Sequence, residues 1–247
     1  MNKTKTEQLD ELFKDWKQEL NKSKNFNLYN DIFIKDGIVD CDTFESQDIK
    51  VLFISNEANI GDEFNPKDDD IRNDFKIYNK RKKDEYYNVE KKKWETSKGK
   101  MRERVCCLYQ VIVNDYTEKG SPFEVFDRFA FMNLNKTGGG SEIDHKIISF
   151  CEEFKKEIKR EIDIISPDLI VWLGCNTFDI KSIRKGIGVK TCQGKYYYND
   201  IPVIRMWHTS YFRSKYEKLG KFDNEIIDKL AAKLHTELKN IDWYNGR

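Results

Sequence analysis

The chain lacks a surplus of either charge: 44 Lys and Arg stand against 43 Asp and Glu. That balance excludes a uniformly basic coat, so any nucleic-acid binding must rest on local patches. Long hydrophobic runs are missing too. No stretch is long enough to span a membrane, and the N-terminal "MNKTKTEQLDELFKDW" has no apolar segment of the signal-peptide kind. The expectation is a cytoplasmic protein with no membrane partner. Six cysteines, at 41, 106, 107, 151, 175 and 192, include no Cys-x-x-Cys pair. Zinc sites and iron–sulfur clusters use closer, more regular spacing, so reduced and mostly buried thiols are expected, with no metal or redox cofactor. No internal repeat and no clear linker divides the 247 residues. A single domain, 1–247, of a size to bury a substantial core is the natural reading.

What is present is an alternation of apolar runs. Leu9, Leu12, Phe13, Trp16 and Leu20 recur at helical spacing and predict an amphipathic N-terminal helix over about 5–20. Four runs read as strands: 50–55, 128–136, 168–174 and 201–207. Between the second and third, Ile143, Ile147, Cys151, Phe154, Ile158, Ile162 and Ile165 mark the buried stripe of one long helix, with Ser141 as cap, Asp144 in the capping-box position and Pro167 as stop. A last helix carries Ile226, Ile227, Leu230, Leu234 and Leu238. Strands alternating with helices predict an α/β fold: three layers, α/β/α, around a central four-stranded parallel sheet.

Two stretches stand outside that pattern. Residues 61–74 form an acidic loop. Residues 76–104, a basic insertion, hold twelve Lys or Arg against five Asp or Glu, with Tyr78, Tyr86, Tyr87 and Trp94 interleaved. Such a segment suits a nucleic-acid backbone with bases stacked on its aromatics, and equally suits a solvated surface helix running into a more apolar helix at 105–114. Gly138-Gly139-Gly140 lacks the Gly-Lys-Ser/Thr ending of a phosphate loop and is expected to be a flexible turn.

Three of the four strands run into polar groups: Asn56-Glu57-Ala58-Asn59, Asn133-Leu134-Asn135-Lys136 and His208-Thr209-Ser210. In a parallel sheet their carboxyl ends share one edge, where ligands bind. Each group alone has an ordinary structural explanation: a helix-terminal carboxylate, a turn asparagine, a structural histidine. His145 and His235, on predicted helices, are taken as structural.

In order and spacing, "VLFISNEAN", "FMNLNKTGGGSE", "EIKREIDIISPDLIVWLGCNTF" and "IPVIRMWHTSYFR" resemble the motifs of the uracil-DNA glycosylase superfamily, most nearly its smaller bacterial branches. The resemblance covers roughly 48–60 and 125–215. It implies a DNA glycosylase that hydrolyses the N-glycosidic bond of a flipped uracil-like or modified base, leaving an abasic site in single- or double-stranded DNA, without a cofactor. Glu57 would orient or deprotonate the attacking water and His208 would donate to the oxyanion of the departing base. Asn133 would read the base edge, while Asn56, Ala58 and Asn59 line the pocket. Lys136, Thr209, Ser210 and Arg213 would meet phosphates.

The sequence departs from the family's pattern at Asn56 for a glycine, at Asn59 and Ile60 for proline and glycine, and at Thr209 for proline. The cluster-binding cysteines of several branches are also missing. Two alternatives stay open: an inactive nucleic-acid-binding module of the same fold, and an enzyme acting on free nucleosides or nucleotides.

Overall fold

A computed structural model describes residues 3–26, 32–59, 70–73, 87–88, 93–94, 97–113, 125–139, 145–206, 223–241 and 243. Side chains are not described at 57–59, 87–88, 93–94, 97–103, 139, 175–176 and 223–228. The acidic loop except 70–73, most of the basic insertion, Ser141, Asp144 and the segment from Trp207 to Lys221 lie outside the described residues.

The chain opens with α1, Lys5–Asn21. Thr4 caps it: the Glu7 backbone N–H donates to Thr4 Oγ1, and the Thr4 backbone N–H donates to the Glu7 carboxylate. All five apolar residues of the expected stripe are buried. The short strand β1, Gly37–Ile38, and helix α2, Cys41–Glu45, follow. Strand β2 is Val51–Asn59. The described part of the basic insertion contains β3, Tyr87–Asn88, paired antiparallel with β4, Lys93–Trp94, and then α3, Ser97–Ile112.

Strand β5, Ala130–Gly139, precedes α4, His145–Glu153, and α5, Lys155–Ile165. The one long helix of the expectation is thus two. The break falls at Phe154, whose φ of −103° and ψ of 23° leave the helical region. Its ring packs 4.7 Å from Phe150 and 6.1 Å from Trp16, centroid to centroid, and this aromatic packing holds the bend. Ser166, in the left-handed conformation, ends α5 just before Pro167.

Strand β6, Leu169–Trp172, leads to the short helices α6, Cys175–Asp179, and α7, Lys181–Ile187. Strands β7, Val189–Cys192, β8, Lys195–Tyr198, and β9, Ile201–Arg205, make a meander, and α8, Asp223–Asn240, is the last helix. Gln193 and Gly194, with φ of 50° and 79°, connect β7 to β8 as a two-residue loop of the kind that matches strand twist.

The sheet has seven strands rather than four, in the order β1-β5-β2-β6-β9-β8-β7. The four strands expected from the sequence form its centre, β5-β2-β6-β9, all mutually parallel. Antiparallel β1 borders one side and the β8–β7 hairpin the other.

Alternation along the strands sorts the interior into two cores, because successive side chains point to opposite faces. Leu52, Ile54, Met132, Ile170 and Trp172 pack with α1, α4, α5 and α7. Val51, Phe53, Phe131, Leu169 and Val171 pack with α3 and α8. Helices therefore cover both faces. That explains why the central strands read as unbroken apolar runs instead of alternating ones. No described helix is long and apolar enough to cross a membrane.

Candidate functional site

Along the parallel strands the chain runs from β2 outward to β5, then returns past β2 to β6 and on to β9. The direction of winding reverses between β2 and β6. In open α/β sheets, ligands bind in the crevice that such a reversal opens at the carboxyl ends of the strands. Here the β2–β6 pairing ends at Ile54 and Trp172, and beyond it stand Ser55 and Asn56 on one side and Leu173 and Gly174 on the other, with the Leu173 N–H donating to the Ile54 carbonyl at 2.7 Å.

Asn56 is held at this reversal. Thr177 Oγ1 lies 2.6 Å from Asn56 Oδ1 and 2.9 Å from the Gly174 carbonyl, and accepts from Trp172 Nε1 at 3.2 Å. A hydroxyl has one hydrogen, and the shorter distance assigns it to Asn56. Gly174 is required by space rather than by φ: a Cβ there would lie 1.9 Å from Asn56 Oδ1. Phe178 braces the arrangement from below, its ring 5.2 Å from that of Trp172 and perpendicular to Tyr196.

Strand β2 does not stop at Ser55. It continues through Asn59 beside β5, with Ser55 opposite Asn133, Glu57 opposite Asn135 and Asn59 opposite Gly139. The expectation that the first strand ends at residue 55 is corrected accordingly. Between Glu57 and Asn59 the partner advances from Asn135 to Gly139, so β5 is bulged. Asn135 holds the bulge. Its Oδ1 accepts from the Thr137 N–H at 3.0 Å and from Thr137 Oγ1 at 2.8 Å, while its Nδ2 donates to the Gly138 carbonyl at 3.2 Å. The glycine run, expected to be a flexible turn, thus begins inside a strand, with Gly138 at φ 68°; Gly140 lies outside the described residues.

Asn133 is buried and tied to a residue the sequence reading missed. Asp36 Oδ2 accepts from the Asn133 backbone N–H at 2.7 Å and from Asn133 Nδ2 at 3.0 Å. The other oxygen of Asp36 accepts from Lys136 Nζ. Lys136 also donates to Glu161 Oε1 at 2.9 Å; Glu161 Oε2 is 2.8 Å away but outside hydrogen-bond alignment. Lys136 was expected to face a phosphate. It is instead fully buried, its ammonium over the rings of Phe13 and Trp16 and hydrogen-bonded to Asp36 and Glu161. An unpaired buried cation is too costly to keep, and these two carboxylates are what make its burial possible.

Glu161 completes this cluster from α5. Burial pushes its carboxyl well above the usual carboxylate range; Lys136 opposes the shift and Asp36 adds to it. Gly37 lets Asp36 sit so close to α1: its φ is +100°, and a Cβ there would come 3.1 Å from Leu9 Cδ1.

For the remaining expected site residues, the backbone of Glu57, Ala58 and Asn59 lies in β2, at the sheet edge beside Asn133. His208, Thr209, Ser210 and Arg213 lie outside the described residues. Strand β9, which leads to them, is described as far as Met206, whose N–H donates to the Trp172 carbonyl at 2.8 Å. Of the residues the reading missed, Thr177 was open to notice as a hydroxyl within the "GCNTF" turn after an apolar strand. Asp36 and Glu161 carry no local signal, because their partners lie 97 to 100 and 25 residues away.

Among the described residues, no group of three His, Cys, Asp or Glu is placed to hold a metal ion. Comparison of this chain with protein-family models, curated proteins and solved structures finds no match.

Proposed function

We propose that this chain is a DNA glycosylase of the uracil-DNA glycosylase type, hydrolysing the N-glycosidic bond of a flipped uracil-like or modified base. One observation carries the reading: the β2–β5 register sets Asn133 opposite Ser55 and Glu57 opposite Asn135 at the carboxyl edge, next to the point where the winding reverses. The backbone of Glu57 and the side chain of Asn133, from two different sequence motifs, thus share one edge. The helices on both faces of a parallel centre suit the same reading.

The chemistry asks for these groups. Breaking the bond leaves negative charge on the base and cationic character on the sugar. Glu57 orients or deprotonates the attacking water and stabilises the sugar cation. His208, which follows β9 in the chain, donates to the base oxyanion. Asn133 offers both a donor and an acceptor to the base edge. A flipped nucleotide brings its target bond out of the stack and to that edge.

The test is incubation with oligonucleotides carrying uracil, hypoxanthine or modified pyrimidines, followed by alkaline cleavage at abasic sites. Product from the wild type and from neither Glu57→Gln nor His208→Ala supports a glycosylase and names its base. Salt-sensitive DNA binding without product on any substrate points to a binding module that has lost turnover. A second reading, an enzyme for free nucleosides or nucleotides, is favoured by the burial of Lys136, which withdraws one of the expected phosphate contacts. Weak DNA affinity, insensitive to salt, would identify that case.

A further inference from the structure

We propose that Asp36 is a positioning residue that fixes the polarity of the Asn133 carboxamide, so that the site takes a base presenting an N–H on its Watson–Crick edge. This rests on the glycosylase reading of Asn133 and deepens it.

Three donors converge on one side chain. Asp36 Oδ2 takes both the backbone N–H and the Nδ2 of Asn133, and Oδ1 takes the ammonium of Lys136. Only a group that accepts at both oxygens satisfies all three, and an ionised carboxylate is that group. Neither side chain of this Lys136–Asp36 ion pair is exposed. Because Asp36 can only accept, the atom of Asn133 facing it must be the nitrogen. Ordinarily the two ends of a carboxamide are hard to tell apart; here the partner's chemistry assigns them.

The amide is therefore not free to flip. Its Oδ1 end is turned away from Asp36 and is the acceptor left for a ligand. An acceptor in that place matches the N3–H of uracil or thymine, or the N1–H of hypoxanthine. It opposes the lone pair at N3 of cytosine or N1 of adenine. Leaving a buried polar group opposed in this way is what makes hydrogen-bonding sites discriminate strongly.

In Asp36→Asn the carboxamide introduced at 36 cannot serve all three donors. With its oxygen toward Asn133, its NH2 meets the Lys136 ammonium. With its NH2 toward Asn133, that amide is driven to flip. The expected result is a fall in preference for uracil over cytosine, measured as the ratio of abasic product, on the order of tenfold to a hundredfold. A merely structural Asp36 would slow both bases together and leave the ratio unchanged, which would overturn the proposal.

A second measurement is independent of activity. In the wild-type chain the side-chain NH2 of Asn133, assigned by its disappearance in Asn133→Ala, should show one proton shifted downfield and protected from exchange by the carboxylate. Exchange as fast as that of an exposed asparagine overturns the proposal even if Asp36→Asn does not fold. Should the wild type excise no base, the glycosylase reading fails by itself, and the amide spectrum still decides whether Asp36 sets the polarity of Asn133.

Discussion

Thr177 Oγ1 lies 2.6 Å from Asn56 Oδ1 and thereby ties β2 to α6, the helix that follows β6, across the point where the winding of the sheet reverses. Asn56 stands where the resembling motif has a glycine. Its carboxamide is accommodated because position 174, on the other side of the crevice, carries no side chain. Asn56 on β2 and Gly174, just past the end of β6, thus fit each other.

Gly174→Ala should therefore be harmful although its backbone φ, −115°, suits any residue. The added methyl would have to expel Asn56 from Thr177, and overpacking of this kind costs about 1–3 kcal/mol. Urea unfolding measures it; an unchanged midpoint would show that Asn56 moves aside freely.

Replacing Lys136 by Met should cost about 3–5 kcal/mol of folding stability, because it leaves Asp36 and Glu161 buried without their cation. The same substitution should leave the salt slope of any DNA binding unaltered, since the ammonium is fully buried and releases no counterion. A shallower slope for Lys136→Met would return this residue to the DNA-facing surface.

Glu161 makes stability depend on pH in a stated direction. Its folded pKa lies above the unfolded value of about 4.3, so its contribution is fully present below that pH and is lost as pH rises through the folded value. Glu161→Gln imitates the protonated acid and cannot ionise. The difference in Tm, variant minus wild type, should grow from about pH 4 to about pH 8. A difference that stays flat over this range would mean that Lys136 keeps Glu161 ionised at little cost.

If Glu57 handles the attacking water, Glu57→Gln should reduce single-turnover formation of abasic product roughly 10²- to 10⁴-fold while DNA affinity changes little. A loss of affinity equal to the loss of rate would make Glu57 a binding group instead.

Much of the architecture was legible along the chain. The parallel strands are short apolar runs because both their faces are covered, and the stripe of α1 repeats at helical spacing because one face is. The β7–β8 hairpin was missed although Gln193-Gly194 is a turn signal, and the break at Phe154 was hidden by a stripe that continues in phase across it. In the candidate site, Asn56 and Asn133 were picked out by their position after apolar runs. Their partners were not.

The sequence by itself determined the four central strands, the buried stripe of the N-terminal helix and the order in which these elements follow, since periodicity is a local property of the chain. Only the tertiary structure decided that Lys136 turns inward rather than toward a phosphate. The reason is physical: a lysine can be buried only if carboxylates are brought to it, and Asp36 and Glu161 come from a strand edge and a helix that meet it only in the folded chain.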